Sequence, residues 1–326
     1  MTTLFGDRRA DFGWMCVSGA LDMQPSDYAH VGELMGLPMS QTFFYGTVRD
    51  ADGNIWNPMR RFTADGGPER LLLQTNRERA SIGIHPAGRH AASCAGSQRL
   101  LAGDEIRFSS APDATGEPFH MRATAKDLTW VEHGLMELHG TAVPPGLHWH
   151  LPDREQGMYY ISQIYEVEGH VAGHEVHGFI PMDQLWMRGT IYQDDIFVGR
   201  GAEIIWYTWA TRYEDGTFDG GHFLVGHRNL GFAVRYDERG HVAATTNVDG
   251  RVTLDGDGPW PATIEVVADG EHWEFLPDDR GRMTDLMPIP NPQVEGRWRR
   301  RGDTRRPRHW SAWGEIAPSH GLERAR

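Results

Sequence analysis

Apolar and polar residues alternate in short segments along most of this chain, and turn-forming residues separate the segments. Alternation is clearest at 122–129, 135–143, 159–167, 231–236 and 263–267. A period of two residues is typical of strands with one face buried. Asp-Gly pairs at 52–53, 215–216, 249–250 and 269–270, with Arg-Gly pairs at 239–240 and 280–281, are typical hairpin turns. The pattern predicts a mainly β protein built as an antiparallel sandwich or barrel.

Helical periodicity is confined to the first 40 residues. Ser26 is a candidate N-cap before Tyr28, Val31 and Leu34, which recur at helical spacing. A second short helix is expected at 8–15. We expect little helix beyond these segments.

A weak internal repeat suggests two halves of similar design. Residues 42–48 (TFFYGTV) and 204–210 (IIWYTWA) each form an aromatic segment that leads through arginine into an Asp-Gly turn. The two copies predict tandem lipocalin-like barrels, residues 1–180 and 181–326. The alternative, that any two hairpins look alike at this level, stays open.

Composition narrows the class of function. A chain of 326 residues can form two domains, and its net charge of -13 argues against nucleic acid as the partner. A membrane-spanning helix needs about 18 consecutive apolar residues, and the sequence has no run of that length. With two cysteines, Cys16 and Cys94, and no apolar leader at the N-terminus, a cytoplasmic protein is expected. Nucleotide-binding glycine motifs are absent, and we expect no organic cofactor.

The stretch 170–221 holds the chemistry that the sequence suggests most strongly. Residues 182–186 (MDQLW) lie between two β-type runs, and the second run, 204–213, carries Trp206 and Trp209 before a turn. Aromatic side chains beside carboxylates predict an apolar pocket that holds an acid. Burial raises the pKa of such an acid, and aromatic faces stabilise a carbocation.

Asp183 is the first candidate for the acid, followed by Asp194 and Asp195, and His222 is expected to reach the same cavity. The alternative is that Asp183 caps a turn after Pro181 and that the tryptophans are ordinary core. The expected substrate-binding residues are aromatic: Tyr45, Trp56, Trp186, Tyr192, Trp206, Tyr207 and Trp209.

Histidines form a second constellation. His148 and His150 would share one face of a strand, whereas His174 and His177, which flank Glu175, would point to opposite faces. Their spacing matches no zinc signature. We therefore assign no metal site, and a histidine-ligated enzyme remains an alternative.

Two parts of the chain resemble a known family. They are three residues in the middle, Gly178, Asp183 and Trp186, and the closing segment 310–315 (WSAWGE). The sequence resembles the tandem lipocalin-like family of carotenoid 1,2-hydratase (hydroxyneurosporene synthase) and AttH-type proteins. Gln184 stands where that family usually has histidine. The resemblance implies two calycin-type barrels side by side, with a hydrophobic ligand cavity near their interface and acid-catalysed chemistry without a cofactor.

These observations together predict a cofactor-independent lyase or isomerase, of the hydratase, dehydratase or cyclase type. Its expected substrate is a hydrophobic small molecule such as a terpenoid, steroid or polyketide. A non-catalytic binding protein with the same cavity is the alternative from another class. Whether the chain forms a homodimer stays open.

Overall fold

The computed structural model describes residues 8–12, 16–24, 27, 32–63, 66–67, 71–87, 97–102, 104–152, 157–189, 202–285 and 291–324. These residues form two antiparallel sheets, which confirms the predicted mainly β class. The strands of the first sheet are β1 (Arg8–Phe12), β2 (Val17–Leu21), β3 (Met39–Tyr45), β4 (Thr47–Arg49), β5 (Ile55–Thr63), β6 (Gly66–Gly67), β7 (Leu72–Thr75), β8 (Gly83–Ile84), β9 (Ser97–Ala102), β10 (Glu105–Ser110), β11 (Phe119–Thr124), β12 (Asp127–Glu132), β13 (Met136–Leu151), β14 (Met158–Val171) and β15 (His174–Met187). The strands of the second sheet are β16 (Glu203–Tyr213), β17 (Phe218–Gly226), β18 (Gly231–Asp237), β19 (Val242–Thr245), β20 (Val248–Leu254), β21 (Pro261–Ala268), β22 (Glu271–Arg282), β23 (Gln293–Arg300) and β24 (Pro307–Ile316), and a short 3₁₀ helix follows at Pro318–His320.

The first sheet closes on itself. Its strands follow the order β13-β12-β11-β10-β9-β6-β5-β3-β15-β14, and β14 then pairs with β13 again. The second sheet runs in the order β19-β18-β17-β16-β24-β23-β22-β21-β20. Both sheets are antiparallel at every described pairing within these orders, as the hairpin signals predict.

The buried side chains fall into three main layers. One fills the inside of the first sheet, around Phe44 and Trp130, and another covers one face of the second sheet, around Trp209 and Trp298. The third lies between the two sheets and includes Tyr160. We call this third layer the interfacial layer.

Alternation along β15 decides which side chains enter the interfacial layer. Phe179 and Leu185 pack in that layer, whereas Ile180 and Trp186 pack inside the first sheet. Because successive side chains of a strand point to opposite faces, Asp183 faces the interfacial layer.

The turn between β16 and β17 confirms the predicted hairpin. Gly216 has a φ of 85° and donates its N–H to the carbonyl of Tyr213, and Tyr213 donates to the carbonyl of Thr217. Glycine reaches this positive φ without steric cost. As a result, β16 and β17 pair in register from Ile205 to Arg212.

Several expectations for local structure were wrong. Residues 8–12 form β1 and not a helix, because they pair along their full length with β2, and tertiary pairing overrides local propensity. The Asp249-Gly250 pair lies within β20, and the Arg280-Gly281 pair within β22. Of the helix expected from Ser26, residues 26 and 28–31 lie outside the described residues.

The first sheet ends at Met187 and the second begins at Glu203. Residues 181–187 therefore continue β15 of the first sheet, and the expected division at residue 180 falls within that strand. The division into two domains stays a prediction. No helix among the described residues has the length and hydropathy that crossing a membrane requires.

Candidate active site

Asp183 lies in the middle of β15 and not in the bend or loop that the sequence suggested. Both faces of β15 are buried here. Its sequence therefore lacks the alternation of apolar and polar residues that marks a strand with one exposed face. The Asp183 side chain is 4% exposed. Its cross-strand partner on β14 is Ser162, and its partner on β3 is Phe43.

Burial raises the pKa of the Asp183 carboxyl to about 6, against an opposing effect from the hydroxyls of Ser162, Tyr160 and Tyr45. These three groups lie close to the carboxyl, but Oδ1 of Asp183 and the hydroxyls of Tyr160 and Ser162 have no hydrogen bond of regular geometry to any described residue. Desolvation is thus only partly compensated, and the acid keeps a proton at a pH well above its ordinary range.

The second sheet faces Asp183 with a patch of polar and aromatic side chains. Thr208 on β16 and His222 on β17 are direct cross-strand partners, so they share one face of the sheet. The Tyr45 hydroxyl of the first sheet donates a 2.9 Å hydrogen bond to Thr208 Oγ1. The charge of Asp183 contributes to a raised pKa of Tyr236 on β18, after burial.

Trp206 forms an aromatic wall of this site. Its ring lies edge-on to Tyr160 at 5.5 Å between centroids and 6.2 Å from the His222 ring. Trp149 and Phe232 complete the wall at 6.2 Å each. A cation formed beside this wall would meet the negative faces of several rings.

His222 is a buried, uncharged imidazole. Its side chain is fully buried, burial lowers its pKa to about 3, and neither ring nitrogen has a hydrogen-bond partner among the residues that the structure describes. At neutral pH it therefore offers one N–H donor and one nitrogen acceptor.

The structure brings together some of the candidate residues and separates others. Asp183, Trp206 and His222 meet at the interfacial layer, and Tyr45, whose ring packs in a small neighbouring cluster with Trp313, reaches the same place with its hydroxyl. The remaining described aromatic candidates lie in the other layers: Trp56 and Trp186 inside the first sheet, Tyr207 and Trp209 inside the second.

Alternation explains this separation on both strands. Tyr207 and Trp209 differ by an odd number of positions from Trp206, so they face the opposite side, where Tyr207 packs on Phe275 and Trp209 on Trp273. Trp186 likewise faces away from Asp183. Tyr192, Asp194 and Asp195 lie outside the described residues.

The histidine constellation is divided between distant places. His148 and His150 both lie beside Tyr159, at 6.2 and 6.1 Å between ring centroids, so they share a face as expected. His174 instead packs on Trp56, and His177 on His309. Within the described residues, no group of three or more His, Cys, Asp or Glu side chains is arranged to hold a metal ion.

Two further buried acids, Glu203 and Glu315, lie beside Trp206 on the second sheet. Glu203 and Glu315 are each 2% exposed, and burial together with the neighbouring Glu315 raises the pKa of Glu203 well above its ordinary value. Gln293 donates a 3.1 Å hydrogen bond to Glu315 Oε2. Glu315 is the cross-strand partner of Trp206, so this acid pair borders the aromatic wall.

A surface cleft of about 540 Å³ opens at the edge of the interfacial layer. Arg212 and Glu166, which form an ion pair across the two sheets, stand at its rim. Phe218 forms part of its wall and stacks on Tyr236 at 6.2 Å. A residue of the cleft wall therefore contacts Tyr236, whose pKa the charge of Asp183 helps to raise.

Sequence reasoning missed Tyr160, Ser162, Thr208 and Tyr236. Alternation gives a usable signal within one strand, since Thr208 follows Trp206 by two residues. The pairing of Ser162 with Asp183 depends on the register between β14 and β15, which no local pattern specifies.

The sequence matches no protein-family model and no curated protein. Among solved structures, the chain is similar to a putative AttH protein from Nitrosomonas europaea, with 14% identity, 88% of this chain and 94% of that chain covered, and a TM-score of 0.48. Kievitone hydratase from Nectria haematococca follows at 8% identity, 87% and 90% coverage and a TM-score of 0.44. CghA has 12% identity, 85% and 88% coverage and a TM-score of 0.45.

These neighbours include a putative AttH protein and a hydratase. Because each TM-score lies below 0.5, the similarities assign no activity and no residue role to this chain.

Proposed function

We propose that the protein is a cofactor-independent lyase or isomerase, of the hydratase, dehydratase or cyclase type. Its substrate would be a hydrophobic small molecule such as a terpenoid, steroid or polyketide, bound in the interfacial layer. The observation that carries this proposal is Asp183, a buried carboxyl with a pKa of about 6 beside an aromatic wall.

Asp183 is suited to give a proton to a carbon–carbon double bond. With a pKa near 6, about a tenth of the carboxyls are protonated at pH 7, so the acid is both available and strong enough to transfer its proton. The cation that forms would lie against Trp206 and Tyr160.

The proton balance closes without another reactant besides water. In a hydratase, water adds to the cation and loses its proton to the Asp183 carboxylate, which restores the acid. An isomerase would return a proton from a neighbouring carbon to the same carboxylate. In a cyclase, a second double bond attacks the cation before that proton is lost.

Deuterium transfer tests this proposal and separates it from a carrier function. In D2O the Asp183 carboxyl exchanges its proton for a deuteron, so an enzyme of this kind places deuterium on carbon. The purified protein is incubated with a panel of terpenoid, steroid and polyketide alkenes, and each compound is recovered and analysed by mass spectrometry.

We expect the wild-type protein to add deuterium to at least one compound and Asp183→Asn to add none. Asp257→Asn, at an exposed position, is the matched control and should behave as wild type. Binding of one or more compounds to the wild-type protein, with no deuterium in any compound of the panel, would contradict catalysis and favour the non-catalytic binding protein.

A further inference from the structure

The interfacial layer holds more hydrogen-bonding groups than its own contacts use. Among the described residues, the hydroxyls of Tyr160, Ser162 and Tyr236 and both ring nitrogens of His222 have no hydrogen bond of regular geometry. The Tyr160 and Ser162 hydroxyls do lie near enough to the Asp183 carboxyl to lower its pKa. All four side chains are at most 4% exposed. A buried polar group without a hydrogen bond destabilises the folded protein. The set therefore carries a large cost that a purely structural role does not explain.

These groups come from both sheets and surround one point. Tyr160 and Ser162 on β14 act on the pKa of Asp183 through their hydroxyls, and Tyr236 on β18 experiences its charge. His222 is the cross-strand partner of Thr208, which is hydrogen-bonded to Tyr45 beside Asp183. The unused groups thus converge on the candidate acid.

Their chemistry specifies what they could bind. Each hydroxyl can donate one hydrogen bond, and the uncharged His222 ring donates one more and accepts one. Four donors in an apolar layer match an oxygen atom of a ligand. A hydrocarbon has no acceptor, so it would leave these groups without a hydrogen bond.

We infer that the ligand of the interfacial layer carries a carbonyl or hydroxyl oxygen next to its reacting double bond, and that Tyr160, Tyr236 and His222 bind this oxygen. The substrate class is then an oxygenated hydrophobic molecule and not a pure hydrocarbon. The inference rests on the proposed function only for the statement that the double bond reacts.

For a carbonyl substrate the donors also contribute to the reaction. Such a substrate reacts through an enolate in place of the cation that an isolated double bond would give: water adds to the β-carbon, the electron pair of the double bond moves to give the enolate, and the hydroxyl and imidazole donors stabilise the enolate oxygen. Asp183 then protonates the α-carbon, and the proton lost by water restores the Asp183 acid. The net change is the addition of one water molecule across the double bond.

Two small probes of equal ring size test the inference: cyclohexenone, which has a carbonyl conjugated to its double bond, and cyclohexene, which has none. Affinities are measured by NMR titration for wild type and for the double variant Tyr160→Phe/Tyr236→Phe. The infrared carbonyl band of bound cyclohexenone is recorded in parallel. Neither hydroxyl makes a hydrogen bond of regular geometry among the described residues, so the double variant should fold.

We expect the double variant to bind cyclohexenone about tenfold or more weakly than wild type, as the loss of two hydrogen bonds implies, with cyclohexene unaffected. The carbonyl band should shift to lower frequency in wild type and shift less in the variant. Tyr165→Phe, inside the first sheet, is the matched control and should leave both affinities unchanged.

Equal cyclohexenone affinity in wild type and double variant, with the same carbonyl band, would overturn the inference. Deuterium transfer to a hydrocarbon alkene combined with that result would remove the inference and leave the proposed function intact. If cyclohexenone binding depends on the two tyrosines but no compound gains deuterium, the inference stands and the proposed function is contradicted.

Discussion

The hydroxyl of Tyr45 on the first sheet donates a 2.9 Å hydrogen bond to Thr208 on the second. The same tyrosine contributes to the electrostatic environment of Asp183, and its ring lies edge-on to Trp313 of the second sheet at 5.5 Å. One residue therefore both joins the sheets and shapes the surroundings of the candidate acid.

Loss of the hydrogen bond between Tyr45 and Thr208 should lower the free energy of unfolding by a small amount, whichever of the two residues is changed. Tyr45→Phe and Thr208→Val should each lower the free energy of unfolding by about 0.5–1.5 kcal/mol, because each removes the same neutral hydrogen bond. The double variant should lose less than the sum of the two single variants. Urea unfolding measures all four proteins, and strictly additive losses would show that the two residues are not coupled.

A buried ion pair supplies a second connection between the sheets. Arg49 on β4 lies 2.8 Å from Glu295 and 2.7 Å from Asp278, both in the second sheet. Thr47 donates a 2.6 Å hydrogen bond to Glu295, whose pKa burial raises to about 7 despite Arg49.

Arg49→Leu should lower the free energy of unfolding by about 3–5 kcal/mol at pH 8, because it leaves the buried Glu295 carboxylate without its cation. The loss should shrink below pH 7, where Glu295 takes up a proton. Arg79→Leu, which breaks the exposed pair with Asp285, is the control and should cost at most about 1 kcal/mol. Equal losses for the two variants in thermal or urea unfolding would contradict the role assigned to Arg49.

His222 should stay uncharged across the physiological pH range. Its pKa of about 3 in the folded protein lies below the ordinary value of 6.5, so the unfolded chain binds more protons and stability falls as pH decreases. The contribution amounts to about 2 kcal/mol between pH 7 and pH 5.

Nitrogen NMR of the His222 ring should therefore show no titration between pH 5 and 8, and His222→Phe should lose less stability than wild type over that interval. A ring that titrates near pH 6.5 would mean that His222 reaches water, against the buried position described above.

The strands were predictable because their signals are local. Alternation and the Asp-Gly turn at 215–216 predict the β16–β17 hairpin, and the aromatic residues of 204–210 predict a buried strand. The Asp249-Gly250 pair was misleading, since β20 pairs with β21 across it. A residue pair that is typical of turns can lie within a strand when pairing along the whole strand is more favourable.

The site was predictable only in part. The acid–aromatic combination pointed to Asp183, Tyr45, Trp206 and His222, but the same reasoning included Tyr207 and Trp209, which face the other side of β16. Only strand alternation relative to Trp206 separates them. The pairing of β14 with β15, and the stacking of one sheet on the other, bring Tyr160 and Tyr236 to the site, and these arise from contacts distant in sequence.

The most direct test of the account is the turnover of Asp183→Asn on the compound that the deuterium screen identifies. The amide keeps the shape of the side chain, avoids a buried charge and removes the transferable proton, so the variant should fold while turnover falls by about 10²–10⁴-fold. Wild-type turnover should itself decrease as pH rises through 6, because the acid form of Asp183 is lost. A folded Asp183→Asn protein that works at the wild-type rate would contradict the assignment of Asp183 as the proton donor.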